Sequence, residues 1–215
     1  ASQARGGSFA TIWIISDIDK APCKTQFFLL QAMARRIIHV DNRPSQLPEF
    51  HRIIASRSSQ GNGKMLSCLL DYFLMEIPGS IFFAEQHIFL HENRNPSRIP
   101  MVEWLHIEDL KSFDTHVPID LELMGFARDI VVALRHDCQV QIGPSVLART
   151  HFRDVLKIRA LLRASDFVKP HDFPSVASLV LSHRITTKGG LDKFPRSVVR
   201  EVVFRLANKT LLPPK

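Results

Sequence analysis

Hydrophobic positions divide this chain into two regions of different period. In the first, short apolar runs alternate with one long helical pattern. Thr11 to Ile15 is β-branched and aromatic, follows Gly6-Gly7, and reads as a buried strand. Pro22 suits the first turn of a helix running to about Arg36, where a fixed φ and a missing donor do no harm. Ile37 to Val40 reads as a second strand closed by the turn-like Asp41-Asn42-Arg43-Pro44, and Arg52 to Ser56 as a third. Strand, helix and strand in that order predict part of an α/β sheet.

Beyond Asn93 to Pro100, a polar stretch with two prolines, the pattern becomes helical only. Candidate helices are Met101 to Lys111, Ile119 to His136, Ser145 to Arg163, Asp172 to His183 and Pro195 to Asn208, punctuated by Pro170 and Gly189-Gly190. Within Ser145 to Arg163, Phe152, Val155, Leu156 and Leu162 form the expected core side. Arg149, Arg153 and Lys157 stack at i, i+4 spacing on another face. That face reads first as solvated surface, and second as a stripe that tracks phosphates.

The composition narrows the class without naming a function. At 215 residues and 45% hydrophobic, the chain has enough apolar material for one large domain or two small ones. No window approaches the ~20 apolar residues of a membrane span, and Ala1 to Ser8 lacks a basic, apolar leader. Cys23, Cys68 and Cys138 are odd in number and far apart, so neither a disulfide framework nor a zinc site is expected. An intracellular, cytoplasmic location follows as the expectation, with the organelle left open. The net charge of +7 suits nucleic acid, anionic lipid or an acidic protein face, and selects none of them.

The most informative motif is Ile14-Ile15-Ser16-Asp17-Ile18-Asp19-Lys20-Ala21-Pro22-Cys23-Lys24-Thr25-Gln26, followed by the apolar run Phe27 to Met33. It resembles the Walker B segment of MoxR-type AAA+ ATPases and magnesium chelatase ATPase subunits, where a strand ends in Asp-Glu before Ile-Asn-Arg-Ala-Pro. Further segments are similar to the family in the same order. Phe50 to Ser59 stands at the sensor-1 strand, and Leu70-Asp71-Tyr72-Phe73 at the family's Leu-Asp-Arg-Phe. Phe126 to His136 looks like the first lid helix, and Gly143-Pro144-Ser145-Val146-Leu147 stands at Gly-Ala-Ser-Pro-Arg. Asp166 to Asp172 and Val180 to Ile185 resemble the lid's closing segments.

The resemblance implies a partial α/β AAA+ core, an incomplete parallel sheet with helices, followed by an all-α AAA+ lid. The domain expectation is core at 1–92, linker at 93–100, lid at 101–190, and a C-terminal helix and tail at 191–215. It also implies nucleotide chemistry, for which ATP hydrolysis needs a phosphate cradle, carboxylates for Mg²⁺ and water, and cations for the transition state.

Alignment with the family places most of those parts on altered residues. Ser16 stands at the Mg²⁺-linked Asp, removing a charge that helps hold a hard cation. Asp17 stands at the catalytic Glu with a shorter reach, and Asp19 is a substitute for either position. The plainer reading is that Asp17 and Asp19 end the strand and cap the next helix. Ser58 occupies the sensor-1 Asn place, Tyr72 the arginine-finger place and Leu147 the sensor-2 Arg place, with Arg149 two residues on. The short segment ahead of Thr11 is unsuited to form the phosphate loop. Gly61-Asn62-Gly63-Lys64 is a decoy, with Ser58 at the first Gly position and Met65 where the Mg²⁺-binding hydroxyl belongs.

Other constellations are thinner. His87 and His91, flanked by Glu85 and Glu92, offer two imidazoles at i, i+4 but no third ligand, so no metal site is expected. His183-Arg184 falls in a lid segment and reads as packing or capping, and Trp13 and Trp104 as packing. Two function classes follow. One is a degenerate or truncated MoxR/magnesium-chelatase-like AAA+ ATPase, a pseudoenzyme subunit partnering sibling AAA+ subunits in a hexamer-like ring or a client protein. In that class ATP and Mg²⁺ bind only with an upstream phosphate loop. The other is a basic module that binds a partner protein or nucleic acid with no nucleotide chemistry.

Overall fold

The computed structural model describes residues 11–40, 43–48, 51–58, 65–79, 117–163, 165–188 and 194–211. They form two compact units that meet in sequence between Phe73 and Leu74.

In the first unit, β1 (Ile12–Ile15) runs parallel to β4 (Arg52–Ala55), with Ile12 opposite Arg52 and Ile15 opposite Ala55. A 3₁₀ turn (Ile18–Lys20) leads from β1 into α1 (Cys23–Arg35). Gln26, Leu29 and Ala32 recur at helical spacing and form the buried stripe of α1. Arg36 ends the helix in the left-handed region, φ 57°, with its N–H on the carbonyl of Ala32. Ile18, Leu29 and Leu69 are the buried centre of a small core that also takes Trp13 and Ile15. Leu69 belongs to α2 (Ser67–Tyr72).

Three expectations change here. The strand at Thr11 to Ile15 is not buried on both faces: Ile12 is 55% and Ile14 79% exposed, because only Trp13 and Ile15 turn toward the core. β2 (Ile37–Val40) lies outside the parallel pair and forms an antiparallel hairpin with β3 (Arg43–Gln46). Arg43 and Pro44, expected in a turn, are therefore strand residues opposite Val40 and His39. Proline is tolerated there because an edge strand need not donate on its open side.

The second unit is helical, with one short ribbon that the sequence pattern did not signal. It comprises α3 (Leu121–His136), β5 (Val140–Ile142), α4 (Val146–Leu162), α5 (Phe173–Leu181), β6 (Thr186–Thr187) and α6 (Pro195–Leu211). β5 and β6 pair antiparallel. Asp120 caps α3, its Oδ1 accepting the N–H of Glu122 at 2.8 Å. Ala127, Ile130, Val131 and Leu134 turn inward from α3 at the spacing of one helical face. They meet Phe152 and Leu156 of α4 and Phe173 of α5, with the Phe152 and Phe173 rings packed edge to face at 5.8 Å. α5 is buried on most sides, at Val176, Ala177, Val180 and Leu181.

Leu162, expected in this core, is 78% exposed. It falls off the stripe of Phe152, Val155 and Leu156, and Ala160 takes the inward position instead. Met75 packs on the helical core and the N–H of Glu76 donates to the carbonyl of Leu179 at 2.9 Å, which draws residues 74–79 into the second unit. α6 joins the same core through Val198, Val199, Val202 and Val203. The expected linker at 93–100 and the helix at Met101 to Lys111 lie outside the described residues.

Candidate functional site

Parallel strands present ligands at their carboxyl ends, where side chains and backbone groups leave the sheet. In the first unit that place is formed by Ser16 to Lys20 after β1 and Ser56 to Ser58 after β4. Hydrogen bonds stitch the two segments together. Ser56 donates its N–H to Ile15, and Ile18 donates back to the Ser56 carbonyl, both at 2.9 Å. The N–H of Asp17 reaches the Ser56 Oγ at 3.2 Å.

Asp17 and Asp19 leave this frame in opposite directions. Asp17 has φ 51° and ψ 49°, a conformation that L-residues rarely adopt, and Asp is among the few types that tolerate it. Its carboxylate lies at the surface and accepts from Lys20 Nζ at 2.9 Å. That hydrogen bond, reinforced by the Asp17 charge, holds the Lys20 ammonium above its ordinary value. Asp19 is only 5% exposed. Its Oδ1 accepts the backbone N–H of Ser58 at 3.3 Å, while Oδ2 is buried with no hydrogen-bond partner. The expected capping role is corrected: Asp17 makes no side-chain cap bond, and Asp19 serves the neighbouring strand end rather than α1.

Ser16 and Ser58 are exposed beside these groups. Tyr72 is half-buried at the last position of α2 and takes no part in the bonds joining the strand ends. Sequence reasoning gave no site role to Gln26. It is fully buried, donates from Nε2 to the Ala21 carbonyl and accepts the Leu66 N–H at Oε1, both at 2.9 Å. This side chain fixes the turn after Asp19 to the entry of α2. Its place on the inward stripe of α1, with Leu29 and Ala32, was the available signal.

Leu147 and Arg149 belong to the second unit. Leu147 is half-buried in the first turn of α4. Arg149 is exposed, on a different helix face, and lines a groove with Arg153. His183 and Arg184 are buried, and the Arg184 guanidinium approaches His183 Nε2 at 3.2 Å and His151 Nδ1 at 2.6 Å. The segment is thus packed into the helical core.

One candidate carboxylate is engaged by Lys20 and the other is buried against Ser58. No cluster of three or more His, Cys, Asp or Glu capable of holding a metal occurs among the described residues. Gly61 to Lys64, His87, His91 and Trp104 lie outside them. No helix among the described residues is long and apolar enough to cross a membrane.

Comparison with known proteins agrees with this architecture. Residues 132–202 match the family model of the AAA lid domain. The chain is 26% identical over 188 residues to the uncharacterized protein YeaC of Bacillus subtilis (strain 168), covering 84% of this chain and 59% of that protein. It matches the crystal structure of a candidate ATPase from Cytophaga hutchinsonii with a TM-score of 0.71 and 18% identity, over 91% of this chain and 65% of that one. The chain thus spans less than two thirds of the length of either relative. At such identity the structural likeness speaks for the fold. Lid match and structural likeness together describe the fold: a partial α/β core of the AAA+ kind followed by a helical region that matches the AAA lid domain.

Proposed function

We propose that this chain is a hydrolysis-deficient AAA+ component, similar to MoxR and magnesium chelatase ATPase subunits. Its role is structural or regulatory, either as a subunit beside active siblings in a ring or as the core end and lid of a longer remodelling protein. The observation that carries this reading is the closure of both candidate carboxylates. Asp19 is buried against Ser58, and Asp17 carries a surface ion pair with Lys20 that a metal would have to displace, so the two do not form an open pair of carboxylates for Mg²⁺ and water. Ser16, Tyr72 and Leu147 add no charge at the metal, arginine-finger and sensor-2 positions.

The exposed apolar face of the parallel pair supports a larger assembly. Ile12, Ile14 and Ile54 are all more than half exposed on β1 and β4, and such a face is ordinarily covered by further structure. On this reading ATP and Mg²⁺ enter only when an additional segment supplies a phosphate loop, and the partners are sibling AAA+ subunits or a client protein.

The test is ATP turnover in a polypeptide that carries a phosphate loop ahead of this chain. The unmodified parent is expected to bind nucleotide without appreciable hydrolysis. Installing Ser16→Asp, Asp17→Glu, Tyr72→Arg and Leu147→Arg together is expected to raise turnover. A parent that already hydrolyses ATP as fast as the restored version overturns the proposal.

A further inference from the structure

The helical unit carries a groove between α3 and α4 that shares only Arg149 with the candidate nucleotide positions. Its volume is about 200 Å³, below the ~300–1,000 Å³ of small-molecule pockets. A space of this size accepts one or two apolar side chains rather than a cofactor. Ile119 and Met124 line it from the α3 side, and Val146 and Leu156 from α4. Arg149 and Arg153 add its charge, and Ala127 and Thr150 also line it. Residues 146, 149 and 153 recur at i, i+3 and i+7, which puts them on one helix face. Leu147, at the sensor-2 position, is not among the lining residues.

We propose that this groove docks an acidic segment of a partner protein, anchored by apolar side chains. Two features select that occupant. Val146 leaves a β-branched side chain 76% exposed at the groove, so its burial by a partner is favourable. The charge at the groove is of one sign: no acidic side chain lines it, and Arg149 has no carboxylate partner among the described residues. Among the described residues Arg153 pairs with its neighbour Asp154, in an exposed contact at 2.9 Å that a better-placed acid can replace. Nucleic acid fits less well. The lining contains no aromatic ring for base stacking, and its two guanidiniums adjoin an apolar floor rather than a row of phosphate contacts.

This proposal does not depend on nucleotide chemistry. Its test uses the full chain and a labelled amphipathic helical peptide with Leu along one face and Glu along the other. A Lys-for-Glu twin and a single-stranded DNA oligonucleotide serve as competitors. The Glu peptide is expected to bind saturably and to shift the amide resonances of Ile119, Met124 and Val146. Val146→Glu is expected to weaken it about tenfold, a change of ~1.4 kcal/mol. Arg149→Glu with Arg153→Glu is expected to transfer preference to the Lys peptide. All three side chains project from the surface or its margin, so these variants keep the fold, which the unchanged far resonances of α5 report. The proposal is overturned if the Glu peptide fails to bind saturably, if binding ignores the substitutions, or if the oligonucleotide displaces it from the groove.

Discussion

Ser58 donates its backbone N–H to Oδ1 of Asp19 at 3.3 Å, tying the end of β4 to the turn after β1. The two residues are 39 positions apart. A carboxylate that the motif offers to chemistry is thereby used as a strut. The Ser58 N–H offsets part of the cost of burying the acid at Oδ1, while Oδ2 is buried without a partner and carries an uncompensated share of that cost.

Replacing Asp19 separates the strut from the charge. Asp19→Ala leaves the Ser58 N–H without its acceptor and is expected to destabilise the first unit by about 1–3 kcal/mol. Asp19→Asn keeps a carbonyl oxygen for Ser58 and removes a buried charge, so a change within ~1 kcal/mol is expected. Amide hydrogen exchange at Ser58 distinguishes them, with protection lost in the first variant and kept in the second. Equal loss in both would show that the charge, not the acceptor, holds the loop.

Lys20 gives a pH dependence of definite sign. The Asp17 hydrogen bond and charge hold the Lys20 ammonium above its ordinary value of 10.5 in the folded chain. The pair's contribution is therefore complete below the unfolded value and disappears as pH rises through the folded one. Both side chains are exposed, so the contribution to stability is small. Asp17→Asn is expected to lower the Lys20 midpoint toward its ordinary value, read from the side-chain resonances during an alkaline titration. A midpoint that stays in place would remove Asp17 as the cause.

Much of this architecture was legible because it rests on local period. The span of α1 followed from Pro22 and from apolar residues at helical spacing, and that of α4 from Phe152, Val155 and Leu156. What stayed hidden depends on distant partners. The helical stripe of α1 places Gln26 inward, but its role shows only once Leu66, forty positions away, is seen to donate to it. The hairpin of β2 with β3 was masked by Pro44, whose turn preference yields to edge pairing with His39. At the candidate site, the motif located Asp17 and Asp19 but gave no indication that one closes on Lys20 and the other on Ser58.

Gly143 shows how close packing constrains the turn before α4. A Cβ built there would lie 2.9 Å from Cα of Arg135 in α3, and backbone cannot rotate away as a side chain can. The same approach lets Arg135 Nε donate to the Pro144 carbonyl at 2.8 Å. Gly143→Ala is expected to cost about 1–3 kcal/mol, the usual range for overpacking, with the turn displaced from α3. Denaturant unfolding and the Arg135 side-chain resonance check both parts. A neutral substitution with an unchanged Arg135 would show that the turn has room to move.

Phe152 and Leu162 test the core assignment within a single helix. Phe152 has no exposed surface, and its ring meets Phe173 edge to face. Phe152→Ala removes those contacts and leaves a cavity, with an expected cost of about 3–5 kcal/mol. Leu162 sits on the same helix and is as apolar by composition, yet 78% of it faces solvent. Leu162→Ala is expected to change stability by less than about 0.5 kcal/mol, because little burial is lost and alanine favours helix. Chemical denaturation followed by far-ultraviolet circular dichroism compares the two directly. Similar losses in both would place Leu162 in a contact beyond this unit's own core, whereas the expected contrast locates the inward stripe of α4 at Phe152, Val155, Leu156 and Ala160.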